Sequence, residues 1–537
     1  VTTNRFALII LTLSLFIVGC SGPNYLKSPE LQEFHPLTII YPRSVTSDTL
    51  FVPADSVIFA EAPDSLFLLG HVVDPKGNLF VNGRKISIHK DGGWLAWVKN
   101  SEVRPIPEGS EYGAGDYSTV TIRYEWGRNK KKGAWRHYKR TIYFVNQEEV
   151  GPLPDEFAER EANETVLVVS PLARIRVGWP GAYDMFPSLE TKLTVIGEVG
   201  IERPFWKVDL GSGKIGWIEK HYVEITDEEI ETELPVIYSV KSRVEGRNTI
   251  LRIPIGTKLP YRIEQIDDTK IEMLIYGAVS WTDQIIQPAE SKVVSEARWS
   301  QVDNTTFKLT VHIKDGWFWG WNADFDDYSD LIWTIRQAPD IKENPFEGLT
   351  IVVDPGHGGA NYSAIGPTGM MEKTANLLLS QNVVKSLEKT GARVIVTRRD
   401  DSYVSLSGRV EMAIEEKADI LISLHYNALP QGTNPGLHHG SSTHYYQMHS
   451  KPLADALYSE MCRFLKWDGN KVRYQDLAMV RPTNFPAVLI ETAFMMHPEE
   501  EALAKKKRFR KKAAQGITFG IREYLLEMAR KQGKVFE

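Results

Sequence analysis

Two histidines and two glutamates, widely separated in the chain, are the residues here whose types suit chemistry. His357 follows the apolar run Thr350-Ile351-Val352-Val353, inside the stretch Asp354-Pro355-Gly356-His357-Gly358-Gly359. Glu372 opens a helical pattern, His425 follows Ile420-Leu421-Ile422-Ser423-Leu424, and Glu491 follows Ala487-Val488-Leu489-Ile490. Two histidines and a carboxylate suit a zinc ion that keeps one coordination position open, and a further carboxylate suits proton transfer. That chemistry is metal-assisted hydrolysis. Taken singly, each residue has a plainer use: a hydrogen-bonded surface histidine, a glutamate on a helix dipole, a salt-bridge partner. Four at corresponding places, one of them in a glycine-rich loop, favour a site.

The elements that must position them follow from the hydrophobic period. Beyond about residue 348, short apolar strands alternate with longer amphipathic helices, which predicts an α/β unit with a mostly parallel sheet. Strands are expected at 350–354, 392–397, 419–424, 442–447 and 487–491, and helices at 372–389, 406–416, 452–465 and 508–530. The first helix carries Ala375, Leu379, Val383 and Leu387 on one face, and the last carries Ile517, Ile521, Tyr524 and Met528. In such sheets sites form where loops leave the carboxyl ends of strands. His357, His425 and Glu491 lie at or just past such ends, and Glu372 at a helix start facing the same crevice.

At 537 residues the chain is too long for one core. With 42% hydrophobic and 25% charged residues it is ordinary globular protein, not a disordered chain. A net charge of −6 gives no reason to expect nucleic acid as a partner. The fold class is multidomain: β-sandwich and small β-barrel modules followed by the C-terminal α/β domain. Residues 36–147 read as an immunoglobulin-like sandwich with an Asn82-Gly83 hairpin turn. With Arg174-Ile175-Arg176-Val177-Gly178, Phe205-Trp206-Lys207-Val208 and Gly216-Trp217-Ile218-Glu219, residues 165–226 resemble the bacterial src-homology-3-like barrels; 235–338 form a further β-rich module, and 347–532 the catalytic domain. Acidic linkers separate the modules. In Trp317-Phe318-Trp319-Gly320-Trp321, core packing is favoured over a glycan-stacking face.

Two cysteines cannot build a disulfide framework. Cys462 reads as a buried inert thiol. Cys20 ends a segment in which Arg5 precedes a largely apolar run, Phe6 to Val18, too short to span a bilayer comfortably. Ile17-Val18-Gly19-Cys20-Ser21 resembles the bacterial lipobox, so 1–19 is expected to be a lipoprotein signal peptide, Cys20 the lipidated residue and 20–35 a tether. The expected location is exported and lipid-anchored in the cell envelope, on the periplasmic face of the outer membrane.

Four stretches carry a more specific resemblance: Asp354-Pro355-Gly356-His357-Gly358-Gly359, Gly369-Met370-Met371-Glu372-Lys373, Ser423-Leu424-His425-Tyr426-Asn427-Ala428 and Pro486-Ala487-Val488-Leu489-Ile490-Glu491. In order and spacing they are similar to the zinc-dependent N-acetylmuramoyl-L-alanine amidases, with Thr397-Arg398 and Arg409 in matching places. The resemblance implies zinc on His357, Glu372 and His425, Glu491 as the catalytic residue, and peptidoglycan as substrate. Tyr426, where a small residue is usual, and Thr492-Ala493-Phe494 depart from the family pattern and bear on rim shape. Arg481 and Asn427 are candidate substrate contacts, and Asp354 a residue that would steady a ligand histidine. His438, His439, His444 and His449 are expected at the rim or surface, and the basic run 505–512 on a solvated face. Between His425 and Glu491 there is no room for an additional long helix, so the site is expected to be open. Alternatives are a zinc-dependent endopeptidase or deacetylase on the same polymer, or a non-catalytic wall-binding lipoprotein. Envelope proteins are further candidate partners for the β modules.

Overall fold

The computed structural model describes residues 233–429 and 433–535 without interruption. Before them it describes 37–41, 57–58, 65–99, 104–105, 117–127, 136–145, 162–170, 173–177, 183–199, 205–211, 213–228 and 230. The lipobox and its apolar run fall outside the described residues, and among those described no helix is long and apolar enough to cross a membrane.

Three strand-rich units precede the α/β unit. In the first, an antiparallel sheet of Leu37–Tyr41, Ser65–Val72 and Gly93–Lys99 shares a core with a second sheet. The second sheet is built mainly on Tyr117–Trp126 and Arg136–Val145. Leu68, Val72, Trp94, Ala96 and Val98 meet Leu79, Val81, Val120, Ile122 and Tyr124 there. Asn82 (φ 47°) and Gly83 (φ 82°) make the tight turn between Asn78–Val81 and Arg84–Ile86, because two positive φ values in succession match the strand twist. The second unit is one seven-stranded sheet around Val166, Val195, Val208 and Ile218. The third packs a five-stranded and a four-stranded sheet over Leu251, Met273, Leu309 and Trp333. The aromatic run at 317–321 is core and socket, not an exposed face: Phe318, Trp319 and Trp321 are all buried.

The α/β unit is a six-stranded sheet. Its elements are β1 (Thr350–Pro355), α1 (Glu372–Glu388), β2 (Arg393–Val396), α2 (Leu406–Glu415), β3 (Ile420–Asn427), β4 (Ser442–Tyr445), α3 (Lys451–Leu465), β5 (Lys471–Tyr474), β6 (Ala487–Phe494), α4 (Pro498–Ala504) and α5 (Lys507–Lys531). The strand order is β2-β1-β3-β6-β4-β5, parallel throughout except where β4 runs antiparallel to β6. α1 and α3 both pack on α5. Gly516 and Gly520 let α3 approach closely, since a Cβ on either would meet the backbone of Met461 or Leu457 at 2.7–3.0 Å. Ile517, Ile521, Tyr524 and Met528 are buried as their spacing requires.

Two strands outrun their expected ends. β3 and β6 keep pairing past Leu424 and Ile490, so His425 and Glu491 stand opposite each other inside the ladder. His425, expected just past its strand, is thus a strand residue, and Glu491, expected as the last residue of its strand, lies short of the observed end at Phe494. β5 and α4 were not expected; β5 is a short edge strand with weak alternation, and α4 is a single proline-initiated stretch.

The α/β unit is mounted firmly on the third β unit. Asp419, at the foot of β3, accepts from Arg247 Nη1 (2.8 Å), Arg336 Nη2 (2.9 Å) and the Thr350 amide (3.0 Å). Its carbonyl accepts the Trp319 indole N–H at 2.7 Å.

Candidate metal centre

β1 delivers its chain end into a turn that regular side chains could not make. His357 takes a left-handed backbone (φ 62°), and a Cβ on Gly356 would lie 2.1 Å from Cε1 of His425. Glycine at 356 therefore lets the second histidine ring lie against the backbone beside the first. Two buried arginines grip the carbonyls of this turn. Arg409 donates to Pro355 O (2.8 Å) and His357 O (2.8 Å), and Arg398 to Pro355 O and Gly356 O, each at 2.8 Å.

Glu372 is the first residue of α1 and is 3% exposed. Its Oε1 lies 3.2 Å from His357 Nε2 and 3.0 Å from His425 Nδ1. One ligand atom from each of the three residues falls within 4.8 Å of the others. The rings of His357 and His425 stand nearly perpendicular, at 83°. Asn361 Oδ1, 3.1 Å from His357 Nδ1, holds the ring in the orientation that turns Nε2 toward Glu372. Burial alone would raise the Glu372 carboxyl, but hydrogen bonds and charge from the two histidines outweigh it and hold it far below its ordinary range. Both histidines retain some exposure, 20% and 13% of their side chains, so the cluster opens to solvent.

Glu491 stands across the ladder from His425. Its Oε2 is buried with no hydrogen-bond partner, and burial, followed by the charge of Glu372, pushes its carboxyl well above the usual value. Three nitrogen and oxygen donors around one point, with a proton-hungry carboxylate beside them, fit a zinc ion with an open position. The same donors can hold and move a proton in their own right.

The remaining expectations fare differently. Asp354 does not touch a ligand histidine. Its oxygens accept from Thr397 Oγ1 (2.5 Å), Arg409 Nη1 (2.6 Å) and Ser423 Oγ (2.7 Å), and its influence reaches His357 only through Arg409. The reason is direction: Asp354 is fully buried between neighbouring strands, below the turn. Arg481 is not drawn into the cluster; its guanidinium pairs with Asp476. Asn427 lies two residues along β3 from His425, its carbonyl accepting from the Met495 amide at 2.8 Å. Tyr426 points into the core, 1% exposed, so this departure from the family pattern bears on packing and not on the rim.

His444 and His449 are buried, not at the surface: His444 lies on β4, an inner strand flanked by β6 and β5, and His449, in the short turn that follows, packs against the Phe318 ring. His439 is exposed, while Lys505 turns inward to Glu501 and Thr368. Among the described residues between His425 and Glu491, α3 is the one α-helix, and it packs on α5.

Sequence reasoning had no role for Asn376, whose amide donates to Gly356 O (3.1 Å) and Glu372 Oε1 (3.4 Å). Its signal was available: it lies four residues after Glu372, on the same helix face.

The family described as N-acetylmuramoyl-L-alanine amidase matches residues 351–523. A Staphylococcus aureus protein named "Probable cell wall amidase LytH" is 30% identical over 236 residues, 43% of this chain and 73% of its own. Among solved structures, an N-acetylmuramoyl-L-alanine amidase from Clostridium difficile 630 is 32% identical, covering 33% of this chain and 96% of that one, with a TM-score of 0.32. The catalytic domain of CwlV, an amidase from Bacillus (Paenibacillus) polymyxa var. colistinus, is 31% identical, covering 33% and 98%, with a TM-score of 0.31. The α/β unit is thus a cell-wall amidase domain. The chain belongs to the N-acetylmuramoyl-L-alanine amidase family.

Proposed function

We propose that this protein hydrolyses the amide bond between N-acetylmuramic acid and the L-alanine of the stem peptide in peptidoglycan, using zinc held by His357, Glu372 and His425. The observation that carries the reading is the convergence of those three donors within 4.8 Å beside Glu491. Zinc bound there would polarise the scissile carbonyl and acidify water. Glu491, kept basic by burial and by Glu372, takes the proton from the attacking water at its unpartnered Oε2. It then returns that proton to the departing alanine nitrogen. The His357 ring is held in orientation by Asn361, and the turn carrying it is fixed by Arg398 and Arg409. Asn427 and Arg481 are our candidates for substrate contacts, Arg481 by exchanging Asp476 for a stem-peptide carboxylate.

Mass spectrometry of the products from purified muropeptides tests the bond. An amidase releases an intact stem peptide with a free L-alanine amine; a cut inside the peptide, or loss of acetate, would assign a different hydrolase. Metal content of the folded protein tests the zinc. For the upstream units we hold the readings of an immunoglobulin-like sandwich, a src-homology-3-like barrel and a third β module, with wall polymer or envelope proteins as partners. For the chain as a whole we hold that of a lipoprotein anchored through Cys20 at the periplasmic face of the outer membrane. Radiolabelled palmitate should enter the wild-type protein in cells and not Cys20→Ala.

A further inference from the structure

The sheet of Ser65–Val72 and Gly93–Lys99 is apolar on both faces. Leu68, Val72, Trp94, Ala96 and Val98 face the core of their own unit. The alternate residues, Phe67, Leu69, Leu95 and Trp97, face the other way. A strand pair buried on both sides needs a second partner, and here that partner is the amidase domain. Phe67 (1% exposed) and Leu69 (2%) are buried with Ile365, Phe494 and Met496, with Tyr362 and Met371 packed around them. The approach is close at Gly93 as well: a Cβ there would lie 3.1 Å from the Pro367 side chain and 3.3 Å from that of Pro498.

What the sheet touches is the segment 356–371, which carries His357 near one end and leads directly into Glu372 at the other. The segment has no helix or strand of its own. One side of it is pinned by Glu501, which accepts from the Thr368 amide (3.0 Å), Thr368 Oγ1 (2.7 Å) and the Met370 amide (3.2 Å). The apolar side chains of Tyr362, Ile365 and Met371 are covered by the first β unit. Phe494, three residues after Glu491, lies in the same contact. The two ligand histidines remain partly exposed with the sheet in place, so it borders the site without filling it.

We propose that the first β unit is a clamp on the metal centre. Phe67 and Leu69 are positioning residues that hold segment 356–371 so that His357 and Glu372 stay at ligand spacing. The inference rests on the zinc reading for its catalytic consequence, and on packing alone for its structural one.

The test uses the full chain with Phe67→Asp and Gly93→Leu, both of which act on the contact face and leave the unit's own core untouched. In metal-free protein, amide exchange across 358–371 should rise about tenfold, while Leu68 and Val98 keep their protection. In the zinc-loaded protein, chelator should remove zinc faster and kcat on muropeptides should fall with KM little changed. Phe67→Leu should restore both. Unchanged exchange in 358–371 overturns the clamp. Faster exchange with unaltered zinc retention overturns the positioning role, and a rise in kcat would make the unit a lid instead. If wild-type protein holds no zinc, the zinc reading fails, and the exchange comparison still decides whether the clamp exists.

Discussion

Glu491 illustrates how a reactive side chain is held in an unfavourable state. Its burial and the nearby Glu372 favour the neutral acid, so in metal-free protein the folded state holds its proton above the ordinary carboxylate value of about 4.5. Folding therefore binds more protons than unfolding in that window, and stability falls as pH rises through it. Glu491→Gln should abolish turnover by at least about a hundredfold. In metal-free protein at neutral pH the same variant should melt no lower than wild type, and calorimetry should show a flatter stability curve above pH 5. His444 behaves in the opposite sense. Burial, with smaller contributions from Arg473 and His425, pushes it down to about 4. The unfolded chain takes up a proton there between about pH 6.5 and 4 that the folded chain refuses, so stability drops as pH falls. The effect is on the order of 3 kcal/mol at its limit. His444→Asn should remove about one proton from the slope of stability against pH in that window. The four central residues were legible because they fall together at strand ends and a helix start around one crevice, and because they sit in matching motifs. Asn376, Arg398 and Glu501 were not read as supports, since amides, arginines and glutamates are common and reveal their partners only when the chain has folded.

Among the elements, helix boundaries were readable to within a residue or so because apolar spacing changes abruptly there. Expected 372–389 and 508–530 became Glu372–Glu388 and Lys507–Lys531. The ends of β3 and β6 fall at Asn427 and Phe494, beyond the expected 424 and 491, because a polar residue, His425 or Glu491, interrupts the apolar run while the backbone ladder continues. The Leu66-Phe67-Leu68-Leu69 run carries a readable signal, since continuous rather than alternating hydrophobicity implies a strand buried on both faces. Asp354 shows how elements are locked. It joins β1 to Thr397 beyond β2, to Ser423 on β3 and to Arg409 on α2, all within 2.5–2.7 Å. Asp354→Ala would strand the buried Arg409 guanidinium, and should destabilise the amidase domain by about 3–5 kcal/mol, read as a lower denaturant midpoint. Asp354→Asn should recover part of that loss.

At the scale of the molecule, the units were recognisable from composition and turns, but not their docking, because contacts between distant segments leave no periodic trace. Asp419 is the node of one such contact, shared by Arg247, Arg336 and Thr350 with Trp319 alongside. Asp419→Ala should uncouple the third β unit from the amidase domain. One cooperative thermal transition covering both should then separate into two in calorimetry.

The socket for Trp319 and the seat for Phe67 lie on different parts of the amidase domain, and both are filled by chain from far upstream. Cutting the protein near residue 340 to obtain a minimal enzyme would therefore bare greasy patches that the folded whole keeps dry. Such a fragment should self-associate unless Ile365 and Met496 are made polar, so the smallest well-behaved version of this enzyme is much larger than its reactive core.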